Sequence, residues 1–202
     1  MSNNAVKVAL VAFAALSAAA CATKGSYMGA EKEKTYEAEL AVIRLTEVIN
    51  NDDYYELRKD NSIIVFTDTK SYKIWLKTDE IPLLVTKFRV GPNGEKGKYQ
   101  LTKNETKAME TSVGYKGASQ KMYEGAQEGL AKNFFGFVYN QTGNSYFVFD
   151  NWNALKAFKT NGGTPTGFSA SNGPNAATVV YVGSTSEPAE LAKKFAALHD
   201  GQ

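Results

Sequence analysis

The chain has 202 residues and a formal net charge of +2, from 23 Lys and Arg against 21 Asp and Glu. This near-balance argues against the strongly basic face that nucleic acids require, so we predict no nucleic-acid partner. The length suits one ordinary domain or two small ones, and the 11 Phe, 11 Tyr and 2 Trp can supply an apolar core.

Residues 1–20 have the pattern of a secretory signal peptide. One lysine precedes an apolar run at 8–20, which is too short for a membrane-spanning helix of about 20 residues. The following AAAC resembles the lipobox of bacterial lipoproteins, although Ala18 stands where that box usually has Leu. The resemblance implies that Cys21 is acylated, begins the mature chain and anchors it to a membrane.

The alternative is ordinary signal-peptidase cleavage after Ala20 or Ala22, since AAA and ACA both satisfy the small-x-small rule. Cys21 is the only cysteine, which favours acylation over a place in the core. Ala22 rather than Asp follows it, and by resemblance to enteric lipoproteins this implies the periplasmic side of the outer membrane. A soluble periplasmic or secreted protein is the alternative location.

After a tether at 21–30, the pattern predicts a first unit at 31–104. It opens with an amphipathic helix at 31–50, whose apolar stripe is Ala38, Val42, Leu45 and Ile49. A hairpin then turns at Lys59 to Asn61, and Asp68 caps a short helix that carries Tyr72, Trp75 and Leu76. Alternation predicts a half-buried strand over 84–90, and Asn93-Gly94 predicts a hairpin turn.

A second unit is predicted at 105–202. A helix over 104–133 places Met122, Ala126 and Leu130 on one stripe, and Gly125 and Gly129 indicate close packing on a sheet. A hairpin over 134–149 and a helix capped by Asn151 follow, then two strands. A closing helix after Pro188 turns Leu191, Phe195 and Leu198 inward.

The two predicted units have similar amino-acid sequences. Asn61, Ser62, Val65 and Phe66 match Asn144, Ser145, Val148 and Phe149 at an offset of 83, and four of the five prolines form two matched pairs. We therefore predict an α+β protein with two tandem related helix-ββαββ units, antiparallel sheets and a C-terminal helix. Residues 52–104 also resemble a hairpin-helix-GPNG module of uncharacterised bacterial proteins, which implies an architecture and no activity.

Motifs for catalysis, cofactors or metals are weak. The one histidine, His199, is expected to be a solvated tail residue, which removes histidine-based catalysis and metal sites. The acid pairs Asp52-Asp53 and Asp79-Glu80 are adjacent in sequence, so their side chains are expected to point apart. GPNGEKGK has the wrong spacing for a phosphate loop. We predict no catalytic residue, no cofactor and no metal.

One contrast remains. Residues 52–107 hold 20 charged residues, whereas 134–183 hold three, together with 11 aromatics. The second stretch is either the inner half of the protein or a contact surface, with Trp152, Tyr146 and Tyr139 as candidates. The leading hypothesis is a lipid-anchored envelope protein with a structural or protein-interaction role. A cell-wall or glycan-binding module is second, and an acid-dependent hydrolase is third.

Overall fold

A computed structural model describes residues 51–162, 165–171 and 173–200. The predictions for the signal peptide, Cys21, the tether and the helix at 31–50 lie outside the described residues.

The described residues form eight strands and five α-helices. In chain order they are β1 (Asp53–Lys59), β2 (Ser62–Phe66), α1 (Thr69–Thr78), β3 (Leu84–Lys87), β4 (Lys96–Gln100), α2 (Lys103–Thr111), α3 (Ala118–Tyr123), β5 (Phe135–Asn140), β6 (Ser145–Phe149), α4 (Trp152–Asn161), β7 (Gly167–Ala170), β8 (Thr178–Val182) and α5 (Ala189–His199). None of these helices has the length and apolar character needed to cross a membrane.

All eight strands belong to one mixed sheet, in the order β3-β4-β2-β1-β5-β6-β8-β7. Parallel pairs join β2 to β4, β1 to β5 and β6 to β8, and the remaining neighbours are antiparallel. The prediction of antiparallel sheets is therefore wrong. Alternating apolar residues predict a strand but carry no information about the direction of its neighbour.

The sheet has a core on each side. Face 1 carries alternate strand residues such as Tyr55, Phe137 and Tyr146, and is covered by residues of α1 and α5. Face 2 carries the intervening residues, such as Tyr54 and Phe149, and is covered by residues of α3 and α4. The central strands are therefore buried on both faces, which explains their nearly continuous apolar sequence.

Local signals explain the hairpin and helix starts. Asp60 and Asn61 both have positive φ, at 50° and 54°, and form the predicted turn between β1 and β2. The carboxylate of Asp68 accepts a hydrogen bond from the backbone N–H of Ser71 at 2.8 Å. The Asn151 side chain caps α4 in the same way. Both predicted N-caps are confirmed.

The single helix predicted over 104–133 is wrong. It is replaced by α2, which ends at Thr111, and the six-residue α3. Gly114 and Gly125 interrupt the segment with φ of 78° and 75°, a conformation that glycine adopts without strain. The Glu105 carboxylate also accepts a hydrogen bond from the Ala118 N–H at 2.6 Å, which holds the start of α3 against α2.

The strand predicted over 84–90 is shorter and more exposed than its alternation indicates. β3 ends at Lys87 and lies at an edge of the sheet. Leu84 is 37% exposed and Phe88 is 71% exposed. Eight residues, 88–95, connect β3 to β4, so the predicted Asn93-Gly94 turn lies inside a longer loop.

Candidate functional site

A buried group of polar side chains lies on face 2. We call it the Glu56 cluster: Glu56, Tyr54 and Arg58 from β1, with Lys159 from α4. The Glu56 side chain is fully buried. Its Oε2 accepts a hydrogen bond from Tyr54 Oη at 2.5 Å, and its Oε1 accepts one from Arg58 Nε at 2.6 Å. Lys159 Nζ lies 3.2 Å from Oε2.

Lys159 is held from several directions. Its ammonium donates to Tyr54 Oη at 2.7 Å and to the Tyr123 carbonyl at 3.0 Å. It also lies 4.1 Å from the centroid of the Tyr123 ring, within the range of a cation–π contact. The cluster therefore ties the central strand β1 to α4 and to the end of α3.

The electrostatics of the cluster favour an ionised Glu56. Burial alone raises the pKa of this carboxyl, but Lys159, Arg58 and the Tyr54 hydroxyl together outweigh burial and hold the pKa below its ordinary value. Burial lowers the pKa of Lys159, although Glu56 opposes that effect. These donors occupy both oxygens of Glu56, so the arrangement fits a structural ion network.

On face 1, the prediction that His199 is a solvated tail residue is wrong. The side chain is buried in the last turn of α5 because α5 packs against α1, and Lys73 Nζ donates to the Ala197 carbonyl at 3.0 Å. His199 Nδ1 lies 2.9 Å from the Phe195 carbonyl. A carbonyl only accepts, so Nδ1 carries the proton and Nε2 accepts from Tyr72 Oη at 2.9 Å.

Burial lowers the pKa of His199, partly opposed by the Phe195 carbonyl. The imidazole is therefore neutral at physiological pH, and both of its nitrogens have protein partners.

A cavity of about 510 Å³ lies beside His199, between α5 and the end of β8. We call it the α5 cavity. Its inner wall contains the buried aromatic residues Tyr181, Phe195 and His199, and Glu187 and Lys193 contribute the charges. This volume is in the range of small-molecule sites, which combine apolar walls with a few polar groups.

A second cavity of about 380 Å³ lies near the start of β1 and contains Asp52 and Asp53. Asp53 Oδ2 accepts a hydrogen bond from Thr69 Oγ1 at 2.7 Å, and the Tyr55 hydroxyl also contacts Thr69 Oγ1 at 2.7 Å. Burial raises the pKa of Asp53, while Thr69 and Tyr55 oppose the shift. The Asp53 carboxylate therefore has a hydrogen-bond partner within the protein.

The structure does not bring the three predicted contact residues together. Tyr139 and Tyr146 adjoin on face 1, with ring centroids 4.6 Å apart. Trp152 lies on face 2, edge-on to Tyr54 and Phe134. Trp152 and Tyr146 are only 6% and 5% exposed. They do not form one exposed aromatic surface, because the helices cover both faces of the sheet.

Sequence reasoning missed the Glu56 cluster, although two signals pointed to it. Glu56 is a carboxylate within the segment 54–57, whose other residues are Tyr54, Tyr55 and Leu57. Lys159 is one of three charged residues in the stretch 134–183. A charged residue among large apolar residues is seldom buried without a partner of opposite charge, so the two charges could have been paired.

Within residues 51–162, 165–171 and 173–200, no three His, Cys, Asp or Glu side chains form a group suited to a metal ion. No protein-family model, curated protein or solved structure matches the chain.

Proposed function

We propose that this is a lipid-anchored protein of the cell envelope, with a non-catalytic structural or protein-interaction role, accessory to an envelope complex. The observation that carries the non-catalytic part is the internal pairing of the buried ionisable groups. Both oxygens of Glu56 and both nitrogens of His199 have partners within the chain. Buried polar networks whose groups are all paired rigidify a protein core, which supports a structural role.

The lipid-anchor part rests on the lipobox-like AAAC sequence and on Cys21 as the only cysteine. Cys21→Ser tests it. We expect the variant to stay unprocessed or to become soluble in the periplasm, while the control Ser26→Ala partitions into detergent like the parent. Normal processing and unchanged detergent partition of Cys21→Ser would refute the anchor.

The interaction part has its own test. The anchored chain, cross-linked in intact envelopes, should yield one adduct of fixed mass that also forms with the Ser26→Ala control. Only unlinked chain, or a smear without a defined adduct, would count against a stable partner.

We further propose that the two halves of the sheet derive from a duplicated ββαββ unit. Support comes from their matching registers. Ser62 pairs with Lys96 as Ser145 pairs with Thr178, and the N-caps of α1 and α4 are 83 residues apart. Helices also follow the four strands of each half, α2 and α3 in the first half and α5 in the second.

A cell-wall or glycan-binding role is the second candidate, and the α5 cavity is the observation that favours it. Aromatic rings with nearby hydrogen-bonding groups suit sugars, which present both apolar C–H faces and hydroxyls. Titration of the protein with soluble cell-wall fragments, followed by amide NMR, tests this. Shifts confined to residues around Asn175 and Ala192 would support binding, and unchanged spectra at saturating fragment would exclude it.

A further inference from the structure

The loop after β3 presents an aromatic ring among positive charges. We call Lys87, Phe88, Arg89 and Lys96 the basic tip. All four side chains are exposed, and Phe88 reaches 71% exposure. Lys96 Nζ lies 6.0 Å from the centroid of the Phe88 ring. A single exposed apolar side chain is common on protein surfaces, but Phe88 has Lys87 and Arg89 as its neighbours in sequence and Lys96 beside its ring.

The sheet can form an edge hairpin without an exposed aromatic ring and basic residues in its loop. β7 and β8 pair antiparallel, as β3 and β4 do. Gly167 lies opposite Val182 in the first pair, and Leu84 lies opposite Gln100 in the second. At an offset of 83, the residues that correspond to Lys87-Phe88-Arg89 are Ala-Ser-Asn at 170–172. An equivalent hairpin at the opposite edge of the same sheet therefore forms without the ring or the cations.

Glu95, the one acidic residue in the loop 88–95, accepts hydrogen bonds from within the loop. The Glu95 carboxylate accepts hydrogen bonds from the Asn93 backbone N–H at 2.9 Å and from Asn93 Nδ2 at 3.0 Å. It shapes the turn and stays ionised, because backbone hydrogen bonds hold the pKa of Glu95 below its ordinary value. Glu124 lies close enough to Lys87 to interact with its charge. Three basic residues against these two acids still leave a net positive charge at the tip.

We propose that the basic tip binds the surface of a bilayer that contains anionic phospholipids. Lysine and arginine pair with the lipid phosphates, and Phe88 enters the interface between headgroups and acyl chains. The proposal rests on the lipid anchor of the proposed function. About 30 residues separate Cys21 from β1, and an extended chain of that length reaches at most about 100 Å, so an anchored chain stays within that distance of the membrane.

The test measures binding to vesicles without the anchor. The mature chain, residues 21–202 carrying Cys21→Ser, is titrated with vesicles of phosphatidylglycerol mixed with phosphatidylcholine, and with phosphatidylcholine alone, so that the apolar segment at 8–20 cannot itself bind the vesicles. The tip variant adds Lys87→Ala, Phe88→Ser and Arg89→Asn, which gives the loop the residues of its counterpart at 170–172. Arg89 has φ of 58°, which Asn tolerates well, so the variant is expected to fold.

We expect the tip variant to bind the anionic vesicles at least about 25-fold more weakly, because each basic residue near such a surface contributes about 1 kcal/mol. The control Val113→Ser removes a fully exposed apolar side chain elsewhere and should bind like the parent. Equal binding of the tip variant and the parent would overturn the proposal, as would equal binding of the parent to both kinds of vesicle.

A Phe88→Trp variant separates insertion from simple charge attraction. Its fluorescence should shift to the blue with anionic vesicles, while Trp75 and Trp152 are buried and give a constant background. If the fluorescence does not shift and soluble heparin displaces the protein from the anionic vesicles, the tip is a general polyanion site. That result would refute the bilayer proposal. Because every chain here lacks Cys21, these outcomes are independent of whether the native protein is acylated.

Discussion

Replacing Glu56 with Gln should strongly destabilise the protein. The substitution keeps the shape of the side chain but removes its charge and replaces one acceptor oxygen with an NH₂ group. The nearest polar partners of Glu56 are Tyr54 Oη, Arg58 Nε and Lys159 Nζ, and all three donate toward it. The new amide N–H groups therefore face donors, and the Lys159 ammonium, only 16% exposed, loses its counter-ion.

Breaking a buried ion pair by removing one partner costs about 3–5 kcal/mol, and we expect the free energy of unfolding to fall by that amount. Urea denaturation at pH 7, followed by circular dichroism, measures it. Glu128→Gln is the matched control, because its carboxylate pairs with Lys156 on the surface, where the two side chains are 67% and 53% exposed. A surface pair contributes only about 0–1 kcal/mol.

The pH dependence gives an independent check. The folded pKa of Glu56 lies below the ordinary value of 4.5, so its contribution is fully present above pH 4.5 and is lost as the pH falls through the folded value. Glu56→Gln should lack this acid-sensitive component. The reasoning would be refuted if Glu56→Gln lost no more stability than Glu128→Gln and titrated like the parent.

Three further substitutions test the two cores. Trp152→Ala should cost about 3–5 kcal/mol in urea, as Phe149→Ala should, because both rings are buried on face 2; a stable variant would mean that Trp152 is not part of the core. The folded pKa of His199 is below its ordinary 6.5, so the unfolded chain binds the proton more tightly and stability falls as the pH drops below 6.5. His199→Gln cannot titrate yet can still bond Tyr72 and Phe195, so it should flatten that slope; an unchanged slope would assign the titration to another group.

Elements that depend on neighbouring residues could be predicted from the sequence. The turn at Asp60-Asn61 and the caps at Asp68 and Asn151 involve contacts within a few residues. α5 and its inward residues followed from helical spacing. The break between α2 and α3 was missed because apolar spacing over 104–133 was given more weight than its glycines, although Gly114 and Gly125 adopt positive φ.

Contacts between distant segments could not be predicted. The parallel pairing of β1 with β5 joins strands about 80 residues apart, and no local pattern specifies it. The end of a helix is usually solvated, so burial of His199 depends on α1, which supplies Tyr72. Trp152 was predicted as a candidate for a contact surface, but it contacts Tyr54 and Phe134, which lie outside α4.

The link between Tyr72 and His199 has a consequence for how the chain folds during synthesis. These residues are 127 positions apart, and His199 lies in the final turn of α5. A chain that emerges from its N-terminus can form β1, β2 and α1 early, but the aromatic side of the sheet under α5 stays open until α5 itself has emerged. Folding therefore has a late, long-range closing step, and chains cut short before Phe195 would expose Phe137 and Tyr146 to aggregation.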